Sequence, residues 1–85
     1  MVVGGLYMLN VNELLEVAIK ETEKLNQGEI FLLRDLFKGY EWNRLSRSIR
    51  LLLGTLFLNY VNSTKGSIRS IEKTSSGQQK YKVGN

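Results

Sequence analysis

The sequence contains no cysteine, no histidine and no proline. Without cysteine the chain has no disulfide bridges and no thiolate ligands, and without histidine it has no imidazole ligand or imidazole base. These absences exclude the common zinc sites and the nucleophilic arrangements built on Cys or His, and with them most hydrolase mechanisms. Without proline, the turns must depend on the eight glycines and on Asn and Ser residues.

Long hydrophobic runs are missing as well. The longest apolar stretch, Leu51–Leu58, is interrupted by a glycine and a threonine and is far shorter than the roughly 18–20 residues of a membrane crossing. The segment Met1–Met8 is apolar but has no basic residue and no cleavage motif of small residues, which argues against a secretory signal. We therefore expect a cytoplasmic protein without a membrane partner, with an N-terminal tail at residues 1–9 and a single domain at residues 10–85.

The chain offers few groups for catalysis. Asp35 is its one aspartate, and the glutamates fall mostly on the outward face of the first predicted helix, so no pair of carboxylates converges. Gly4 and Gly5 are too few to cradle a phosphate, and neither a P-loop motif nor a dinucleotide-binding motif occurs. The sequence therefore predicts a protein that is not an enzyme and that uses no cofactor or metal ion.

Charge is distributed unevenly along the chain. Between Met1 and Leu33 five glutamates face two lysines, whereas between Arg34 and Asn85 ten basic residues face three acidic ones. The net charge of +4 and the pI of about 9.6 therefore conceal an acidic first part and a strongly basic second part. The basic part favours a polyanionic partner, with nucleic acid before an anionic membrane, and the alternative is a solvated basic surface without a ligand.

Helical periodicity starts after residue 9. Asn10 followed by Glu13 resembles a capping box, and apolar residues then recur at the spacing of an amphipathic helix. This pattern predicts a first helix over residues 11–26. Gly28 suits the left-handed position that follows the end of such a helix.

Two short elements follow the first helix. Residues 29–32 predict a very short strand, and residues 33–38 predict a second helix that stops at Gly39. Residues 40–45 then form a predicted loop. This loop makes the connection to the third helix longer than the three or four residues of a simple helix-turn-helix.

The third predicted helix has the most regular pattern. Ser46 is a natural N-cap, and the helix is expected to run from residue 47 to residue 61 or 62. Leu51 and Leu58 lie nearly opposite its core face, so we expect them to be covered by the first helix, which we favour, or by a second copy of the chain in a homodimer. Gly54 lies between them, and a close approach of another backbone would explain it. The predicted core face comprises Ile49, Leu52, Leu53, Leu56, Phe57 and Tyr60.

A β-hairpin is predicted after the third helix. Its strands comprise residues 68–73 and 78–83, and its serine-rich tip contains Gly77, which is expected to be left-handed. In the ideal register Ile71 faces Tyr81. Because apolar and basic residues do not alternate regularly along the strands, the sequence also predicts a bulge or twist.

The order of these elements is that of an α+β winged helix-turn-helix domain, with three helices, a short strand and a C-terminal β-hairpin wing. Residues 28–61, GEIFLLRDLFKGYEWNRLSRSIRLLLGTLFLNYV, resemble a family of small, largely uncharacterised single-domain proteins of Gram-positive bacteria and their phages. The resemblance implies a fold more firmly than a function. The structural signature that it implies consists of Phe31, Leu36, Phe37, Trp42, Leu45, Gly54, Phe57 and Val61.

A winged helix places the start of its third helix in the major groove of DNA, where side chains reach base edges and backbone N–H groups bind phosphate. Arginine pairs with guanine or with phosphate, and serine hydroxyls position the phosphate chain. The wing then meets the adjacent backbone or minor groove, with Arg69 and Lys82 as weaker candidates. The predicted DNA-binding residues are Arg44, Ser46, Arg47, Ser48 and Arg50 at the helix start and Lys73, Gln78, Gln79 and Lys80 in the wing.

The sequence thus predicts a DNA-binding protein, a small transcriptional regulator of bacterial or phage type, which binds double-stranded DNA as a monomer or as a homodimer through Leu51 and Leu58. The alternative is a protein-binding adaptor or phage-encoded inhibitor, which uses the same scaffold and the same two leucines to bind a host protein without DNA. A separate alternative for the arginines is a solvated helix start without a ligand. Tyr40 and Trp42 are interpreted as core filler at a helix corner rather than as base-stacking residues.

Overall fold

The computed structural model describes residues 10–84, so the tail predicted at residues 1–9 lies outside the described residues. Residues 10–84 form an α+β fold with three α-helices, one 3₁₀-helix and a three-stranded antiparallel sheet. In chain order the elements are α1 (Val11–Thr22), β1 (Ile30–Leu32), the 3₁₀-helix (Leu33–Leu36), α2 (Gly39–Arg44), α3 (Arg47–Ser63), β2 (Ile68–Lys73) and β3 (Gln79–Val83).

Helix α1 begins where the sequence predicts but ends earlier. The predicted capping box is confirmed, because the Asn10 side chain accepts the N–H of Glu13 at 2.9 Å and the Glu13 carboxylate accepts the N–H of Asn10 at 3.0 Å. The predicted continuation to Asn26 is wrong. After Thr22, the N–H groups of residues 23–25 bond to carbonyls three positions back, and these tighter turns end the α-helix.

The turn before β1 is held by the last strand of the sheet. Gly28 has the predicted left-handed backbone, with a φ of +89°. Its N–H donates to the carbonyl of Val83 at 2.8 Å, and the N–H of Val83 donates to the carbonyl of Glu29 at 2.9 Å. Gly28 therefore turns the chain into the sheet, and its predicted place at the end of the first helix is wrong.

The second helix predicted over residues 33–38 is also wrong. Residues 33–36 form only a 3₁₀-turn, and the chain is extended again at Phe37. The carboxylate of Asp35 accepts the N–H of Leu32 at 2.9 Å, which stabilises the start of this turn. The hydrogen-bond geometry of a 3₁₀-helix is poorer than that of an α-helix, so runs longer than three or four residues are uncommon and this element stays short.

Helix α2 occupies the segment that was predicted to be a loop. It begins at Gly39, the residue predicted to stop a helix, and it contains most of residues 40–45. Trp42 packs on Phe37 with ring centroids 5.7 Å apart, so a tertiary contact holds this short helix in place. Two residues separate α2 from α3, and the long connection predicted between these helices is therefore wrong.

Helix α3 begins as predicted. The hydroxyl of Ser46 accepts the N–H of Ile49 at 3.2 Å, and the helix runs from Arg47 to Ser63. A bonded N-cap of this kind stabilises a helix by about 1 kcal/mol.

The core face of α3 is rotated relative to the prediction. The buried residues of α3 are Leu53, Phe57 and Val61. Leu52 is 45% exposed, so its assignment to the core is wrong. Cover by the first helix is wrong for Leu51, which is 61% exposed, while Leu58 is half-buried against the core. Cover of Leu51 by a second copy of the chain stays a prediction. Apart from its chain neighbours and the local backbone of α3, no described atom lies within 4 Å of the position that a Cβ at Gly54 would occupy. No other backbone of residues 10–84 therefore makes the close approach expected there.

The core lies between α1, α3 and one face of the sheet. Strand β3 is the central strand and pairs antiparallel with both β1 and β2. Tyr81 on β3 packs edge-on against Phe57 at 4.9 Å and stacks on Phe31 at 5.6 Å. The buried residues of the core are Leu14, Ala18, Phe31, Leu33, Leu36, Phe37, Leu45, Leu53, Phe57, Val61, Tyr81 and Val83.

The predicted hairpin is present with a shifted register. Tyr81 faces Ser70 and not Ile71 as predicted, and the second strand begins at Gln79. The register shifts between Ser70 and Lys73, which confirms the predicted irregularity. Gly77 has a φ of +90°, as predicted for the tip.

Candidate nucleic-acid interface

An open cleft of about 640 Å³ lies between α3 and the tip of the β2–β3 hairpin. Helix α3 lines one side, the hairpin lines another, and the 3₁₀-helix and α2 contribute residues at the end where α3 begins. The fold thus brings the predicted helix start and part of the predicted wing to one concave surface. We refer to this surface as the cleft.

Five of the predicted residues line the cleft. Arg47 and Arg50 come from α3, and Lys73, Gln78 and Gln79 come from the hairpin. They are far apart in sequence, and the antiparallel return of the hairpin beside α3 brings them together.

The remaining residues predicted near the helix start have local partners and do not line the cleft. The Ser46 hydroxyl caps α3 and lies 3.3 Å from the Ser48 hydroxyl. The guanidinium of Arg44 lies 5.0 Å from the ring centroid of Tyr40, a cation–π distance. All three residues are nevertheless exposed.

The two arginines of α3 have different environments. The guanidinium of Arg50 donates to the carbonyl of Asn43 at 3.1 Å and lies 5.8 Å from the ring centroid of Trp42, and its Nε is buried without a hydrogen-bond partner. Arg50 therefore joins α3 to α2. Arg47 is exposed, and within residues 10–84 its side chain has no ion pair or hydrogen bond, so its charge is available to a ligand.

The hairpin residues are likewise not equivalent. Lys73 is exposed and lines the cleft, whereas the side-chain amide of Gln79 is used inside the hairpin, where it donates to the carbonyls of Ile71 and Lys80. The ammonium of Lys80 lies outside the cleft lining and pairs with the carboxylate of Glu72 at 2.9 Å. This hydrogen bond from Lys80 lowers the pKa of Glu72.

Arg34 and Asn43 are among the further cleft residues that the sequence does not predict. Arg34, in the 3₁₀-helix, and Asn43, at the end of α2, both line the cleft and are exposed. Arg34 is visible in the sequence as one of the basic residues, but no local pattern shows that the 3₁₀-helix lies beside the start of α3. Asn43 is not predicted either, because the sequence indicates a loop at residues 40–45, where the structure has α2.

The cleft is electrostatically one-sided. Its basic lining residues come from the 3₁₀-helix, α3 and the hairpin, and no Asp or Glu of the described chain lines it. In residues 10–84 no group of three His, Cys, Asp or Glu side chains could hold a metal ion. None of the helices in this range is long and apolar enough to span a membrane. The cationic lining of the cleft suits an anionic ligand.

A comparison with known proteins finds a family match. Residues 16–82 match the model of a family described as a domain of unknown function (DUF1413). No curated protein and no solved structure matches the sequence.

Proposed function

The chain belongs to the DUF1413 family, a domain of unknown function, and we propose that it is a winged helix-turn-helix protein that binds double-stranded DNA. Its role is that of a small transcriptional regulator of bacterial or phage type. Binding takes place through the start of α3 and the hairpin, which is the wing.

The topology supports the winged-helix assignment. Apart from the 3₁₀-helix between β1 and α2, the chain order of helix, strand, short helix, longer helix and hairpin is that of a winged helix, and the sheet has the order β1-β3-β2. The connection between α2 and α3 has two residues, one fewer than the shortest turn of a simple helix-turn-helix. The proposal thus has the recognition helix and the wing on the same side of the molecule.

The observation that carries the proposal is the charge of the cleft. Arg34, Arg47 and Lys73 come from three separate elements, all three are exposed, and no acidic side chain of the described chain lines the surface between them. A duplex carries a negative charge about every 1.7 Å along its axis, so a cationic surface of this kind neutralises several phosphates at once.

Helix α3 supplies the element that enters the major groove. It contains two arginines and no acidic residue, so nothing on it repels the phosphates. The Ser46 hydroxyl satisfies the N–H of Ile49, and the N–H groups of Arg47 and Ser48 remain at the positive end of the helix dipole to bind a phosphate oxygen. In this proposal Lys73 and Gln78 of the wing contact the neighbouring backbone.

Fluorescence anisotropy with a labelled random duplex at about 50 and 200 mM salt tests the proposal, since phosphate contacts weaken steeply over this range. The double variant Arg47→Gln with Lys73→Gln should lose binding at both concentrations. Lys20→Gln, which removes an exposed charge from α1, is the matched control and should bind like the wild type. Absence of binding at the lower salt concentration would refute the proposal.

The exposed leucines of α3 favour the adaptor as the second candidate. Leu51 and Leu52 are 61% and 45% exposed, and two such neighbours on one helix suit an apolar protein contact. Capture of a partner that persists at high salt, survives Arg47→Gln and is abolished by Leu51→Glu would establish this function in place of DNA binding.

A further inference from the structure

The outward side of α3 carries an apolar position where a purely electrostatic DNA surface needs none. Leu51 lies one helical turn after Arg47, lines the cleft and is 61% exposed. One turn further on, the hydroxyl of Thr55 donates to the carbonyl of Leu51 at 3.2 Å, so its proton is used within the helix. At Leu51 and Thr55 the helix therefore offers a ligand an apolar contact rather than a hydrogen-bond donor.

Open space lies at Gly54, three residues after Leu51. Gly54 also lines the cleft, and apart from its chain neighbours and the local helix backbone no described atom lies within 4 Å of where its Cβ would be. A partner group can therefore reach the side of Leu51 and the helix backbone without displacing another side chain of the described chain.

The charges of the cleft indicate which partner carries the matching apolar group. Arg34, Arg47 and Lys73 line the same cleft as Leu51, which suits a polyanion better than an apolar protein segment. In the major groove of a DNA duplex the C5 methyl of thymine is the apolar group presented at the base edges. A duplex thus supplies both the phosphates and the methyl group.

We propose, on the basis of the DNA-binding function argued above, that Leu51 contacts the C5 methyl group of a thymine and makes the protein prefer an A·T pair at one position of its site. The cations bind the backbone without regard to sequence, and Leu51 adds sequence preference.

Leu52 provides a matched control. It has the same side chain, is also exposed, and belongs to the same helix, but it does not line the cleft. Truncation of either leucine removes little buried surface, so both variants should stay folded, which circular dichroism verifies. A difference between them in DNA binding then reports their position and not their chemistry.

The test uses the full chain and a duplex selected by the wild type from a random library. Each thymine of the selected duplex is replaced in turn by deoxyuridine, which pairs identically but lacks the methyl group. Burial of one methyl group is worth ~0.8 kcal/mol. At one position we therefore expect affinity to fall about four-fold for the wild type and for Leu52→Ala, and to stay unchanged for Leu51→Ala.

Two results would overturn the inference while leaving DNA binding intact. One is a wild type that binds every deoxyuridine duplex as tightly as the thymine duplex. The other is a Leu51→Ala variant that keeps the sensitivity of the wild type, because the effect would then come from duplex shape. Failure of the wild type to bind any duplex at about 50 mM salt would instead refute the proposed function, and the inference with it.

Discussion

Removal of single cations from the cleft should change the salt dependence of DNA binding by a predictable step. Arg34, Arg47 and Lys73 are the exposed cationic residues that line the cleft, whereas Arg50 is already held by the carbonyl of Asn43. If each of the three neutralises one phosphate, the logarithm of the binding constant should fall with the logarithm of salt with a slope of about −2.7. Between about 50 and 200 mM salt this slope corresponds to a loss of about 40-fold in affinity.

The variant Arg47→Gln should reduce the slope to about −1.8 and the loss over the same range to about 12-fold. Lys73→Gln should have the same effect, because its charge is equally exposed. Arg50→Gln should leave the slope near the wild-type value even if it weakens binding, since its charge is already used inside the protein.

Anisotropy titrations of one labelled duplex at four or more salt concentrations give the slopes directly. Lys20→Gln measures the contribution of charge outside the cleft and should reproduce the wild type. A wild-type slope near zero would refute the electrostatic reasoning altogether. An unchanged slope in both Arg47→Gln and Lys73→Gln would show that the phosphates bind elsewhere.

Three further predictions concern stability, each measured by urea unfolding. Arg50→Ala removes a hydrogen bond and a cation–π contact to α2 and should lower the free energy of unfolding by about 1 kcal/mol. Gly77→Ala should cost about 1–2 kcal/mol because of the positive φ at the hairpin tip, whereas Gly39→Ala, at an ordinary φ with open space around it, should cost nothing. Burial raises the pKa of Tyr81 to about 12, so the folded state holds the phenol proton more tightly than the unfolded state. Stability should therefore fall as pH rises from about 10 towards 12, by at most about 1.4 kcal/mol per pH unit, and Tyr81→Phe should remove this part of the slope.

The elements that were predicted correctly depend on local chemistry. The Asn10–Glu13 capping box and the Ser46 cap each involve residues three positions apart, so the sequence alone contains both partners. Gly77 was predicted because a hairpin tip needs a left-handed residue. In each case the determining interaction spans only a few residues.

The elements that were predicted wrongly depend on contacts made in the folded protein. None of the residues of α2 is fully buried, and the helix is held largely by the packing of Trp42 on Phe37. The apolar periodicity of this segment is therefore weak, and Gly39 resembles the end of a helix in the sequence. The register of the hairpin follows the burial of Tyr81 against Phe57 and Phe31. Neither contact is visible from local spacing.

The candidate site likewise has one part that local sequence predicts and another part that depends on tertiary packing. The helix start was predicted from its own residues, but the juxtaposition of Arg47 with Lys73 and Arg34 depends on how the hairpin and the 3₁₀-helix pack beside α3. The same packing assigns Arg50 to an internal contact, which a charge pattern does not distinguish from a free arginine.

The central position of β3 determines when the strands of the sheet can pair during synthesis of the chain. Strand β1 ends at Leu32, and its hydrogen-bonding partner among the described residues begins only at Gln79. At a synthesis rate of about 5–20 residues per second, β1 emerges about 2–9 s before β3 exists to pair with it. During this interval Phe31 has no Tyr81 to stack on, so the nascent chain presents an unpaired apolar strand to chaperones and proteases. The duration of this exposure follows from the order of the strands, and a slower ribosome lengthens it.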